Sequence, residues 1–203
     1  MPKTSRFDLP HPFFLYRARG NQNAISCARP LLGDEPFAVL LPDVIMVNDE
    51  PVTAQLMRAR EQHGGSVVAV REVEAQDVGH FGIVRTERST VPLSNNSIPL
   101  IGLVEKPAVD KAPSRLGVFG RYLLEPAIWS AIDKTIADAS GEVQLTGALN
   151  LLCGNAPLFG FCFEGLHYDA GDRIGYLKAN IELSLQNSEL RQPLLQHLSS
   201  ILA

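Results

Sequence analysis

The chain has 203 residues, 45% of them hydrophobic, which is enough for one substantial core and favours a single domain over residues 1–203. A formal net charge of -4 with no basic stripe excludes nucleic acid as an expected partner. The longest apolar run, Phe37 to Met46, is too short for a membrane helix and is broken by Pro42 and Asp43, and Met1 to Pro12 lacks the apolar centre of a signal peptide, so a cytoplasmic protein is expected.

In chain order, Phe37 to Leu41 is a continuous apolar run closed by Pro42 and Asp43, the pattern of a strand buried on both faces. Pro51 and Val52 open a helix with Val52, Leu56 and Ala59 at helical spacing, and His63, Gly64 and Gly65 end it. Ser66 to Val70 is the next strand. This succession predicts a right-handed βαβ crossover and a largely parallel sheet covered by helices. Phe81 to Arg85 and Leu100 to Glu105 read as two strands separated by the polar stretch Thr86 to Pro99, a loop or hairpin, and Gly117 to Leu124 reads as another strand. Pro126 to Ala137 reads as a helix with Pro126 in its first turn and Ile128, Ala131, Ile132 and Ile136 on its apolar face. A helix over Glu142 to Cys153, a buried strand over Pro157 to Phe163 and a long helix over Asp172 to Gln186 follow. Leu190 to Leu202 is a final helix with Pro193 in its first turn.

Cys27, Cys153 and Cys162 are odd in number, widely spaced and set among apolar neighbours, which predicts buried free thiols rather than a disulfide framework. No paired Cys or His spacing suits zinc, and His167 stands alone.

Ligands of parallel α/β sheets bind at the carboxyl ends of the strands, where Asp43 is expected to lie. Asp169, in Tyr168-Asp169-Ala170-Gly171, lies at a similar change from apolar segment to turn. Each aspartate taken alone also suits a helix or turn cap. Together they could hold magnesium, which needs only one or two carboxylates when substrate phosphates and water complete its shell. Glu105 and Lys106 end another strand. They read either as an exposed charge pair or as an acceptor for sugar hydroxyls beside a cation for a phosphate.

The ordered set Leu41 to Val44, Phe81 to Val84, Val104 to Pro107, Gly120-Arg121-Tyr122, Gly141 to Thr146 and Tyr168 to Tyr176 resembles that of the bacterial UTP-glucose-1-phosphate uridylyltransferases, over about Phe14 to Leu190. The resemblance implies an α/β, Rossmann-like nucleotidyltransferase fold with a mostly parallel mixed sheet and helices on both faces. It also implies synthesis of UDP-glucose and pyrophosphate from UTP and glucose 1-phosphate. By the same carry-over Asp43 and Asp169 would bind Mg2+, Gly82 would let the sugar approach the backbone, Glu105 would hold glucose hydroxyls and Lys106 the phosphate. Asp43, Lys106 and Asp169 would then be the catalytic set.

That family begins with a strand and a glycine-rich loop for the triphosphate, and Met1 to Phe13 contains no glycine. The first βα unit is therefore expected to be missing, with weakened activity and association, to itself or to another chain, through the uncovered sheet edge. Gly20 to Asn23 replaces the family's uridine-contacting stretch, and Gly147 stands where an aspartate is usual. The other reading is a non-catalytic sugar-nucleotide-binding or regulatory subunit that partners a full-length paralogue. A thymidylyltransferase fits the last two motifs less well.

Overall fold

The computed structural model describes residues 21–87, 96–137 and 143–202. The N-terminal stretch through Gly20, most of the Thr86 to Pro99 loop, and Gly141 with Glu142 lie outside the described residues. In chain order the elements are α1 (Asn21–Leu32), β1 (Phe37–Leu40), β2 (Val44–Val47), α2 (Val52–His63), β3 (Ser66–Glu72), β4 (Gly82–Arg85), β5 (Ser97–Pro99), β6 (Gly102–Glu105), β7 (Leu116–Leu124), α3 (Ile128–Lys134), α4 (Leu145–Cys153), β8 (Leu158–Cys162), β9 (Leu166–Asp169), α5 (Arg173–Gln186) and α6 (Ser188–Leu202).

α2 shows how local signals set an element. Val52, Gln55, Leu56 and Ala59 are buried along one stripe, the spacing that keeps side chains on one helical face. Gly64 then takes φ 69° while its N–H donates to Arg60 O at 2.8 Å, which stops the helix. In β3, Val68 and Val70 enter one core cluster with Ile128, Leu145 and Leu149 from α3 and α4, and Val67 and Ala69 enter a second with Val52, Leu56 and Ala59 of α2. Strand side chains alternate between faces, so both faces of the sheet are buried under helices as expected.

The α/β class and the mixed sheet also stand, but the share of parallel pairing does not. Among the described strands the order is β5-β8-β3-β7-β4-β6 with β1 also on β7, and β3 with β8 is the one parallel pair. The expected crossover does join β1 to β3 through α2. Those two strands run in the same direction, yet the nine-residue β7 lies between them and antiparallel to both, with Phe37 opposite Leu124 and Val67 opposite Leu123. A hydrophobic run records burial on two faces but carries no strand direction, and this is why a late antiparallel insertion is invisible in it.

Several local expectations are corrected. Pro126 lies in the turn ahead of α3, where its carbonyl accepts from Trp129 N at 3.0 Å, and α3 ends at Lys134, leaving Ile136 exposed at 87%. Part of the polar loop is strand β5, paired with β8. α6 starts at Ser188, because Asn187 Oδ1 accepts from Glu189 N at 2.9 Å, and this puts Pro193 beyond the first turn. Cys27 is exposed on α1, while Cys153 and Cys162 are half-buried, and all three are free. Burial pushes the Cys153 thiol up to about 11. Among the described residues no helix is long and apolar enough to cross a membrane.

Candidate active site

Asp43, Gly82, Glu105, Lys106 and Asp169, the residues singled out above, all line one cavity of about 390 Å³. A larger cavity of about 990 Å³ near Arg71 and Arg115 contains none of them.

The two aspartates are brought together by a small separate sheet that no periodicity announced. β2 and β9 pair antiparallel with Val44 opposite Asp169, and the Ala170 amide donates to Asp43 O at 2.6 Å. Gly171 N donates to Asp169 Oδ1 at 2.9 Å. A methyl group built on Gly171 would lie 3.1 Å from Asp169 Oδ1 and 3.2 Å from Asp43 Oδ2, so the two carboxylates face a common point beside a backbone without a side chain.

Glu105 and Lys106 line the same cavity. Lys106 has φ 42°, a conformation that strains a non-glycine residue by about 1–3 kcal/mol and is concentrated at functional sites. Its amide donates to Phe81 O at 3.0 Å. The Lys106 Nζ to Glu105 Oε1 distance is 3.9 Å, with the lysine side chain 60% exposed, so the pair is loose and the ammonium is free to meet another anion. Glu105 has a firmer partner, since Thr146 Oγ1 donates to its Oε2 at 2.5 Å. Gly82 lies opposite Glu105 in the β4–β6 register, and a methyl group there would sit 3.2 Å from both Glu105 Oε2 and Thr146 Oγ1. The absence of a side chain at Gly82 thus accommodates the Glu105–Thr146 pair at the cavity wall.

Thr146 belongs to a longer arrangement. Four residues on in α4, Asn150 Oδ1 accepts from Leu103 N at 3.0 Å, two residues back from Glu105 in β6. Four helical residues rise about 6 Å and two strand residues about 6.6 Å, so α4 can run antiparallel along the edge of β6 and meet it at both points. The readable signal was Thr146 and Asn150 at i,i+4 in a helix whose buried residues are Leu145, Ala148, Leu149 and Leu152. Gly147 in the same helix has a packing reason: a methyl group there would come 2.9 Å from Thr135 Cγ2.

The rest of the lining mixes aliphatic side chains, among them Leu41, Val44 and Val118, with the aromatic rings of Phe81, Phe119, Tyr122 and His167. Tyr122 is buried, and burial, with the charges of Glu105 and Asp43 adding to it, pushes its phenol up so that it stays protonated. His167 packs edge-on to Phe119 at 4.4 Å, and Arg71 Nη1 is 2.9 Å from its Nδ1. The guanidinium can only donate, so Nδ1 accepts and the ring proton sits on Nε2. Burial and then the Arg71 charge lower the His167 pKa, against the opposing pull of Asp169. His167 is therefore a neutral wall residue.

A family model described as nucleotidyl transferase matches residues 12–185. The chain is 41% identical over 184 residues to UTP–glucose-1-phosphate uridylyltransferase YngB of Bacillus subtilis (strain 168), covering 90% of this chain and 60% of that protein. The crystal structure of a UDP-glucose pyrophosphorylase complexed with UDP-glucose superposes with a TM-score of 0.76 at 32% identity, over 83% of this chain and 63% of that one. A UTP-bound UGPase from Acinetobacter baumannii gives 0.78 at 31% identity, over 89% and 61%. The chain thus spans about three-fifths of the length of the curated relatives it matches. With the family model, the fold and the ordered motifs agreeing over most of its residues, the chain belongs to the nucleotidyl transferase family.

Proposed function

We propose that this chain is a sugar nucleotidyltransferase that forms UDP-glucose and pyrophosphate from UTP and glucose 1-phosphate. The observation that carries this reading is the convergence of Asp43 and Asp169 on one point of a cavity that Glu105 and Lys106 also line. The relatives' names supply the substrate pair.

Among the described residues no three His, Cys, Asp or Glu side chains cluster as a full protein metal shell. Two carboxylates open to a cavity are a donor set suited to magnesium, whose remaining positions are taken by phosphate oxygens and water. Asp43 and Asp169 would hold the ion, and its bound charge would stabilise the phosphates as they react. Lys106 would hold the sugar phosphate, and Glu105, oriented by Thr146, would accept from glucose hydroxyls. A phosphate oxygen of glucose 1-phosphate attacks the α-phosphorus of UTP in line. One P–O bond forms, the bond to the bridging oxygen breaks, and pyrophosphate carries away the electron pair. No nucleophilic side chain is required, because alignment and charge neutralisation supply the rate.

The test is pyrophosphate release by the full chain with UTP, glucose 1-phosphate and Mg2+, alongside calorimetry with UDP-glucose. Turnover supports the reading. Binding of UDP-glucose without turnover replaces it with the sugar-nucleotide-binding subunit, and neither turnover nor binding overturns both. Thr146→Val deletes the hydroxyl that orients Glu105, a charged hydrogen bond of about 1.5–3 kcal/mol. A KM for glucose 1-phosphate raised about tenfold or more is expected, with the KM for UTP unchanged in the same initial-rate experiment.

We further infer a cytoplasmic protein that associates through the edge of β1, where Leu40 is exposed at 53% and β7 is the partner strand among the described residues. Light scattering that gives a stable monomer would remove the association.

A further inference from the structure

Asp43 sits in a turn, not in a regular element, yet its carboxylate has to hold one position relative to Asp169. The turn's own closing bond is weak, since Val44 N lies 3.4 Å from Leu41 O, at the long end of hydrogen-bond geometry. What spans the turn is the side chain of Arg121. Its Nη1 donates to Leu41 O at 3.1 Å and to Gly120 O at 3.1 Å, and its Nη2 donates to Val44 O at 2.7 Å. Leu41 and Val44 bracket the Pro42-Asp43 pair, so one planar fork grips both ends of the segment that presents the carboxylate.

The turn also rests directly on the β7 backbone. Gly120 has φ 56°, its carbonyl accepts from Leu41 N at 2.9 Å, and a methyl group on it would lie 2.9 Å from Val44 Cγ2 and 3.1 Å from Leu41 Cβ. No side chain can intervene between strand and turn, and that brings the neighbouring Arg121 within reach of both carbonyls. The guanidinium is partly desolvated, which lowers its pKa, while the Asp43 charge raises it.

We propose that Arg121 is a positioning residue, which fixes the Asp43 turn so that the Asp43 and Asp169 carboxylates are preorganised for a divalent cation. Lysine is a poor substitute because a single ammonium cannot present two fixed N–H groups to carbonyls on either side of a turn. Groups that orient metal ligands in this way typically change metal affinity by 10–100-fold when removed. The cation arm of the proposal rests on the function proposed above, and the ordering of the turn does not.

The experiment compares the full-length chain with R121Q and R121K. Amide exchange by NMR follows the Ala170 N–H, which donates to Asp43 O, against the core amide of Val68. Mn2+ binding is read by electron paramagnetic resonance with UDP-glucose present, and UDP-glucose binding without metal is read by calorimetry. In R121Q the Ala170 amide is expected to exchange at least about tenfold faster with Val68 unchanged, and Mn2+ to bind about 10–100-fold more weakly at unaltered UDP-glucose affinity. R121K should fall between. Wild-type exchange at Ala170 in a folded R121Q overturns the proposal, as does a uniform loss of protection that includes Val68, which would mark a bond serving stability only. If R121Q does not fold, R121K is judged by the same criteria. A wild-type chain that binds no Mn2+ removes the metal reading, and Ala170 exchange then decides on Arg121 by itself.

Discussion

Asp43→Asn is expected to lower kcat for pyrophosphate release by about 10²–10³-fold, the cost of removing one group that stabilises developing charge in an active site. The substitution keeps the shape of the side chain and removes its charge. Asp43 is exposed in a turn, and its backbone carbonyl, which accepts from Ala170 N at 2.6 Å, is untouched, so the melting temperature should stay within about 2 °C of wild type. A fall in turnover without a fall in stability is the signature of a chemical role. Turnover that survives in Asp43→Asn at saturating magnesium would show that the carboxylate pair is not the metal site, and the proposed mechanism would go with it.

Gly175→Ala is expected to destabilise the fold by about 3 kcal/mol and lower the melting temperature by roughly 6–12 °C for a chain of this size. A β-carbon at Gly175 would lie 2.0 Å from the backbone oxygen of Asp169 and 3.1 Å from its carbonyl carbon. Backbone cannot swing aside as a flexible side chain can, so α5 or β9 must move. The first turn of α5, capped by Asp172 Oδ2 accepting from Gly175 N at 2.8 Å, is pressed directly against the residue that presents the second carboxylate. Stability and metal-dependent turnover should therefore fall together, in contrast to Asp43→Asn. Gly154→Ala is the control: its β-carbon would meet Leu151 O at an ordinary 3.8 Å, and its φ of -81° suits any residue. Thermal unfolding of the two variants should separate them clearly, and equal melting temperatures would mean that α5 does not dock on Asp169 as described.

Much of the framework was legible in the residues. α2 was readable at both ends because its apolar stripe, its proline entry and its glycine stop agree with one another. β3 was readable because a run of five buried residues leaves no other compact arrangement for so short a segment. The residues that line the candidate site were readable for the same kind of reason: Asp43, Glu105, Lys106 and Asp169 are the polar residues at which apolar runs break off. Arg121 and Gly175 carried no such mark. An arginine beside a strand glycine, or a glycine in a helix's first turn, has no local sign of what it will face.

What the chain determined by itself is therefore the longer elements such as α2, β3, β7 and α5, and the polar residues at which apolar runs end, since these depend on neighbours within a turn or two of backbone. Only the tertiary structure decided that β7 runs antiparallel between β1 and β3, and that β2 pairs with β9 so that Asp43 meets Asp169. Strand direction and register come from hydrogen bonds between residues 44 to 125 positions apart in the chain. Nothing in a four-residue segment such as β2, half-buried at every position, specifies which distant strand will take the other side of those bonds.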